Sequence, residues 1–339
     1  MEEQRFAPSA GIEASPAGID AVFGGRLYCD LVFADVPVPG PGQEVHASDF
    51  VLTVGGVATR AIAAARLGMD SGIVAVLGTD PVSRLVRSLL EDEPRLRAHW
   101  IAEHPSARVA VTAVMTEGSD RSFVTYEDEA SAMPSTLPAG ATPDAGYCQI
   151  DLADAEADWV VRMRAGGTRV YGGVGWDVTG AWDGSDLERL TNVDAFILNE
   201  DEALAYTRSD NVEGAARVLA QRAGLVVVTL GAAGALAVDS ARGQVERVYA
   251  PRVRAVDPTG AGDVFTAAFM TAEREAWPLQ TALRFATLAA SASVQSLGGA
   301  SSAPRREQLA AALPEELPDE HWEPIAEWAR KRITTGGQR

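Results

Sequence analysis

The stretch Ala255-Val256-Asp257-Pro258-Thr259-Gly260-Ala261-Gly262-Asp263-Val264-Phe265 joins a β-like run, Val248 to Val256, to an apolar helical run, Val264 to Ala272. A turn of small residues at a strand-to-helix junction leaves backbone N–H groups bare at a helix N-terminus. Such a terminus carries partial positive charge and binds phosphate without a basic side chain. Gly260 and Gly262 let the backbone approach an anion closely. Asp263 falls in the first helical turn, where a carboxylate can take a proton from an incoming hydroxyl. The same residues also read as an ordinary helix cap, since Asp near a helix start is common for structural reasons.

The rest of the chain narrows the choice. It has 339 residues, 47% of them apolar, enough for a large α/β core. Its formal net charge of −18 argues against a nucleic-acid partner, because duplex binding rests on phosphate neutralisation. Lys331 is the sole lysine, which removes any P-loop and makes Schiff-base chemistry improbable. Cys29 and Cys148 stand apart with no metal-like spacing, and the four histidines form no ligand pattern. No apolar window is long enough for a membrane span, and the first residues lack the apolar core of a secretory signal. A cytoplasmic location is expected.

Residues 1–23, rich in Ala, Pro, Gly and Ser, are expected to form a loose leader. Arg26 to Phe33 is expected to be the first core strand, followed by a Pro/Gly-rich excursion and a short strand, Val45 to Val54. Val57 to Leu67 reads as an Ala-rich helix stopped by Gly68. Arg108 to Val114 and Ser122 to Tyr126 read as a hairpin turning at residues 117–120. Strand-helix units then alternate through Leu230, which implies a mainly parallel sheet covered by helices. Pro318 to Ile333, with Trp322 and Trp328, reads as an amphipathic terminal helix.

Asp257-Pro258-Thr259-Gly260-Ala261-Gly262-Asp263 resembles the C-terminal signature of the ribokinase-like (PfkB) carbohydrate and nucleoside kinases. Gly55-Gly56-Val57-Ala58-Thr59, continuing to Ala65-Arg66-Leu67-Gly68, resembles that family's N-terminal signature, with Thr59 where Asn is usual. The resemblance runs from about Gly24 to Leu313. It implies a three-layer α/β/α fold with a mainly parallel central sheet and a small β-sheet lid. The lid would form near residues 34–53 and 108–126, inside a kinase domain of residues 24–313, with a C-terminal helical extension at 314–339.

What the resemblance implies about the site follows motif by motif. Asp263 becomes the catalytic base, and Gly260, Ala261 and Gly262 the anion hole. Asp30, which the residues place at a strand end where ligands gather, becomes a sugar-binding carboxylate beside Gly55, Gly56 and Thr59. Asn199-Glu200-Asp201-Glu202 resembles the Asn-x-x-Glu motif, so Glu202 is linked, indirectly, to Mg²⁺, although helix capping explains the same acids. Asn199, with Thr229, Gly231 and Gly234 of a Thr-x-Gly-x-x-Gly loop, becomes nucleotide-binding. Asp257 and Ser302 become neighbours of a monovalent cation, K⁺ being the candidate. Arg60, Arg108 and Arg121 could each bind an anion. ATP and Mg²⁺ are the implied cofactors and a small sugar or nucleoside the acceptor, with a homodimer through the lid left open.

Gly78 to Ser83 lacks the last Gly of the usual Gly-x-Asp-x-x-Gly, and Tyr171-Gly172-Gly173 stands where an Asp often occurs. Together with Thr59, these departures keep a non-catalytic sugar-binding relative as the alternative. A dinucleotide-dependent oxidoreductase fits poorly, because no Gly-x-Gly-x-x-Gly follows the first strand.

Overall fold

Ile19–Gly24 is buried along almost its whole length, whereas Leu27–Ala34 alternates between buried and half-buried positions. In the computed structural model the first of these, β1, lies in the middle of the central sheet. The second, β2, belongs to a separate small sheet. This corrects two expectations: the first core strand is not Arg26 to Phe33, and the leader does not extend to residue 23. A central strand covered on both faces shows no alternation, while a strand with one wet face does. The structure describes residues 18–117, 120–175, 177, 179–314 and 319–331. Residues 1–17 of the expected leader, 118–119 of the expected hairpin turn, and Pro318 and Ile333 of the expected terminal helix lie outside them.

The chain continues with β3 (Asp49–Gly56), α1 (Val57–Arg66), β4 (Ser71–Leu77), α2 (Pro81–Glu91), β5 (Leu96–Arg97) and β6 (Ile101–Glu103). A hairpin follows, β7 (Ala110–Glu117) and β8 (Asp120–Tyr126). Next come β9 (Ala145–Asp151), α3 (Asp158–Ala165), β10 (Arg169–Gly173), β11 (Ala195–Asn199), α4 (Glu200–Thr207) and α5 (Val212–Leu219). The last elements are β12 (Leu225–Thr229), β13 (Ala235–Asp239), β14 (Gln244–Val248), α6 (Ala261–Arg274), α7 (Leu279–Ser293), α8 (Arg306–Ala311) and α9 (Glu323–Arg330).

The central sheet has the order β14-β13-β12-β11-β10-β9-β1-β4-β5, with β6 also pairing with β4. It is parallel from β12 to β5, and β13 and β14 close one edge antiparallel. Strand order reverses between β1 and β9, and a ligand crevice is expected at the carboxyl ends beside such a switch point. The small sheet has the order β3-β2-β7-β8. It is the lid expected from the sequence, but it starts at Leu27, and the Pro/Gly-rich residues 35–48 only connect β2 to β3.

Alanines fill the α1 and α6 faces (Ala61, Ala64, Ala267, Ala268, all fully buried), so the two helices pack closely. The β-like run Val248 to Val256 is corrected: β14 ends at Val248. Beyond it, Pro251 has no N–H to offer a ladder, and the amides of Val256 and Asp257 both donate to the Val294 carbonyl. Trp328 of α9 meets Phe285 with ring centroids 4.8 Å apart and Trp277 at 6.3 Å. That helix is therefore part of the main core. Cys29 and Cys148 are buried free thiols. Among the described residues no helix is long and apolar enough to cross a membrane.

Candidate active site

The N-terminal turns of α1 and α6 converge at the carboxyl ends of β9 to β12. Gly260 caps α6 at φ 74°, in the left-handed region. A Cβ there would lie 2.8 Å from Gly299 Cα and 3.0 Å from Thr59 Cγ2, so glycine is demanded by conformation and by packing. A Cβ on Gly262 would meet nothing within 4 Å, because that residue faces an open cavity. Ala261 donates its amide to the Pro258 carbonyl at a long 3.3 Å.

The cavity holds about 200 Å³ and is lined by Arg60, Arg121, Gln149, Asn199, Glu202, Thr229, Gly260, Gly262, Asp263 and Thr266, among others. Residues as far apart along the chain as Arg60 and Thr266 thus meet at one helix N-terminus. A larger groove of about 680 Å³ lies at the amino ends of the strands, around Arg164, Gly167 and Asp194. Arg164 is paired there with Asp194 and no motif residue lines it, so the smaller cavity is the candidate site.

Asp263 is held by a partner that sequence reasoning had named only as a free anion binder. Arg60 Nε donates to Asp263 Oδ1 at 2.5 Å, and Arg60 Nη1 donates to Gln149 Oε1 at 2.7 Å. Arg60 and Asp263 are about a quarter exposed, so their attraction is less screened than that of a surface pair. Gln149 was missed altogether: a lone Gln in a strand carries no motif.

Asp30 lies buried on β2 rather than at the end of a core strand. Its pKa is pushed up to about 7, first by burial and then by the charges of Asp263 and Asp257. The carboxylate of the small sheet therefore lies within reach of the charge at the α6 start. A Cβ on Gly55 would fall 2.0 Å from Asp30 Oδ2, and one on Gly56 would fall 2.4 Å from the Arg26 carbonyl oxygen. Thr59 is almost wholly buried with its methyl toward Gly260. It packs the turn, and it does not belong to the cavity lining.

At the end of β11, Asn199 and Glu202 form a reciprocal capping box, with hydrogen bonds of 2.9 and 2.8 Å. Capping and cavity lining are therefore both true of this pair. The Glu202 pKa is pushed up to about 7, chiefly by burial, with Asp151 and Asp201 adding to the rise. Burial also raises Asp151, against the nearby charge of Arg60. Raised carboxylates of this kind favour a cation. No group of three or more metal-ligating side chains occurs among the described residues. Thr229 ends β12 at the cavity, whereas Gly231 and Gly234 lie in the following turn, outside the lining. A Cβ on Gly234 would fall 2.0 Å from the Val248 carbonyl oxygen.

Asp257 is fully buried, and its two oxygens accept from the amides of Thr259 and Gly298, each at 2.9 Å. Ser302 donates its amide to the Gly298 carbonyl and its hydroxyl to Gly299 at 3.1 Å. The two expected cation neighbours thus lie in two loops tied together by the Gly298–Asp257 hydrogen bond, beside the buried Thr259 hydroxyl, which has no partner. Arg108 does not line the cavity; Arg121 does.

The family model for pfkB family carbohydrate kinases matches residues 22–306. A ribokinase of Mus musculus is 28% identical over 308 residues, covering 85% of this chain and 93% of its own. A fructokinase of Klebsiella pneumoniae is 32% identical over 233 residues, covering 64% and 75%. The structure of Arabidopsis thaliana ribokinase complexed with ribose and ATP superposes with a TM-score of 0.73 at 22% identity, covering 87% of this chain and 98% of that one.

Proposed function

The chain belongs to the pfkB family of carbohydrate kinases, and we propose that it transfers the γ-phosphoryl group of ATP to a hydroxyl of a small neutral sugar. The observation that carries this reading is the meeting of Asp263 and the α6 N-terminus at one cavity, with the buried Asp30 near enough to feel the Asp263 charge. Asp30 accepts hydrogen bonds from sugar hydroxyls, as a two-oxygen acceptor on the small sheet can. Asp263 accepts the proton of the attacking hydroxyl. A bond forms from that oxygen to the γ-phosphorus while the β–γ bridging bond breaks, and ADP leaves with the bridging oxygen. Charge on the transferring group is met by backbone amides of Gly260, Ala261 and Gly262, with the α6 dipole behind them.

Asn199 and Thr229 border the phosphates, and Gly231 and Gly234 shape the nucleotide loop. Mg²⁺ supplies charge neutralisation on the phosphates when bound, and Glu202 and Asp151 are the carboxylates that would hold its waters. Asp257, Ser302 and the Thr259 hydroxyl would hold a monovalent cation. The name of the mouse relative and the ligands of the Arabidopsis structure favour pentoses as first acceptors to try.

The test is ADP release from ATP and Mg²⁺ across ribose, deoxyribose, fructose and nucleosides, with Asp263→Asn as control. Acceptor-dependent turnover that falls by about 10²–10⁴-fold in the control is the expected result. Turnover at the unmodified rate in Asp263→Asn would sink the reading.

A further inference from the structure

A carboxylate base works only when one oxygen points at the proton, yet the terminal torsion of Asp is broad and roughly two-fold. In this protein that torsion is not free. Arg60 Nε holds Asp263 Oδ1 at 2.5 Å, and Arg60 Nη1 is itself held by Gln149 Oε1 at 2.7 Å. Gln149 is almost fully buried on β9, and its Nε2 donates to the Ile150 carbonyl at 3.1 Å, which orients its oxygen toward Arg60. The chain of contacts runs from the rigid sheet, through Gln149 and the planar guanidinium, to the base.

We propose that Arg60 is a positioning residue for the transfer step, fixing the Asp263 carboxylate through Oδ1 and leaving Oδ2 to take the acceptor's proton. The inference rests on the kinase reading. A base oriented by a third group is a general device of catalytic sites. Arg suits the task because its rigid fork donates in two set directions, where a Lys ammonium offers one point charge on a flexible stem. The close α1–α6 packing holds the fork at this distance.

The experiment compares Arg60→Ala, Arg60→Lys and Gln149→Met in the full chain, each checked for an unchanged melting profile. The best acceptor and ATP–Mg²⁺ are used. Misplacing a reacting group by about 1 Å can cost roughly 10²-fold, so kcat of Arg60→Ala is expected to fall by that order. Dissociation constants for sugar and ADP should stay near their original values. Added guanidinium should restore part of kcat in Arg60→Ala and none in Gln149→Met, whose arginine is loosened but present. Arg60→Lys should remain slow although its charge is kept. A full kcat in Arg60→Ala, or a loss carried wholly by sugar or nucleotide affinity, overturns the proposal. Full activity in Arg60→Ala with a dead Asp263→Asn overturns it alone. Full activity in Asp263→Asn overturns the kinase assignment beneath it.

Discussion

The Asp30 carboxylate occupies the space that a side chain on Gly55 would need: a Cβ there would lie 2.0 Å from Asp30 Oδ2. The small sheet delivers Asp30 over the β3–α1 junction, and the absence of a side chain at residue 55 lets it settle there. Gly55→Ala should therefore displace the carboxylate rather than the backbone. The expected outcome is a raised KM for the sugar with ATP affinity unchanged. Isothermal titration with sugar and with ADP separates the two.

Gly260 and Gly262 share one turn but answer to different constraints. Gly260→Ala forces a left-handed residue and a contact with Gly299 Cα. It should destabilise the fold by about 1–2 kcal/mol from conformation alone, measured as a lower urea midpoint. Gly262→Val meets open space, so the fold should hold while ADP affinity drops. Equal ADP affinity in a folded Gly262→Val protein would mean that the turn serves only as a cap.

Asp30 and Glu202 each have a folded-state pKa raised to about 7, from ordinary values of 3.8 and 4.5. Between those limits the folded state binds more protons than the unfolded one. Stability contributed by these groups is thus fully present near pH 4 and is lost as pH rises through 7. Urea midpoints of the ligand-free protein should fall across that window. Asp30→Asn should flatten the slope, and an unchanged slope would show that the carboxyl does not titrate there.

Trp328 is stacked edge-on against Phe285 and lies under Arg306, whose guanidinium carbon is 4.0 Å from the ring centroid. Removing so large a buried ring typically costs about 3–5 kcal/mol. Trp328→Ala should lower chemical stability on that scale while the remaining folded fraction keeps its kcat. A loss below about 0.5 kcal/mol, the range of ordinary surface substitutions, would show that α9 adds little to the core.

Much of the site was legible because it is local. Gly260 to Asp263, Asn199 with Glu202, and the Gly55-Gly56 turn each act within one junction, where spacing alone sets backbone geometry. Thr59 was legible as a departure, and only the fold shows its methyl packed toward Gly260. The sheet assignment of β1 and β2 was misread because both runs are apolar and short. Which one is covered on both faces depends on what packs against it.

By itself the sequence determined the strand-helix alternation, the helix N-terminus that can face an anion, and the carboxylate beside it. These follow from period, turn chemistry and residues that neighbour one another along the chain. Only the tertiary structure decided that Asp30 lies within reach of the Asp263 charge, that Arg60 grips Asp263 from 203 residues away, and that Gln149 grips Arg60 from 89. Those contacts are set by the close approach of two alanine-faced helices to a parallel sheet, and local spacing carries no record of that distance.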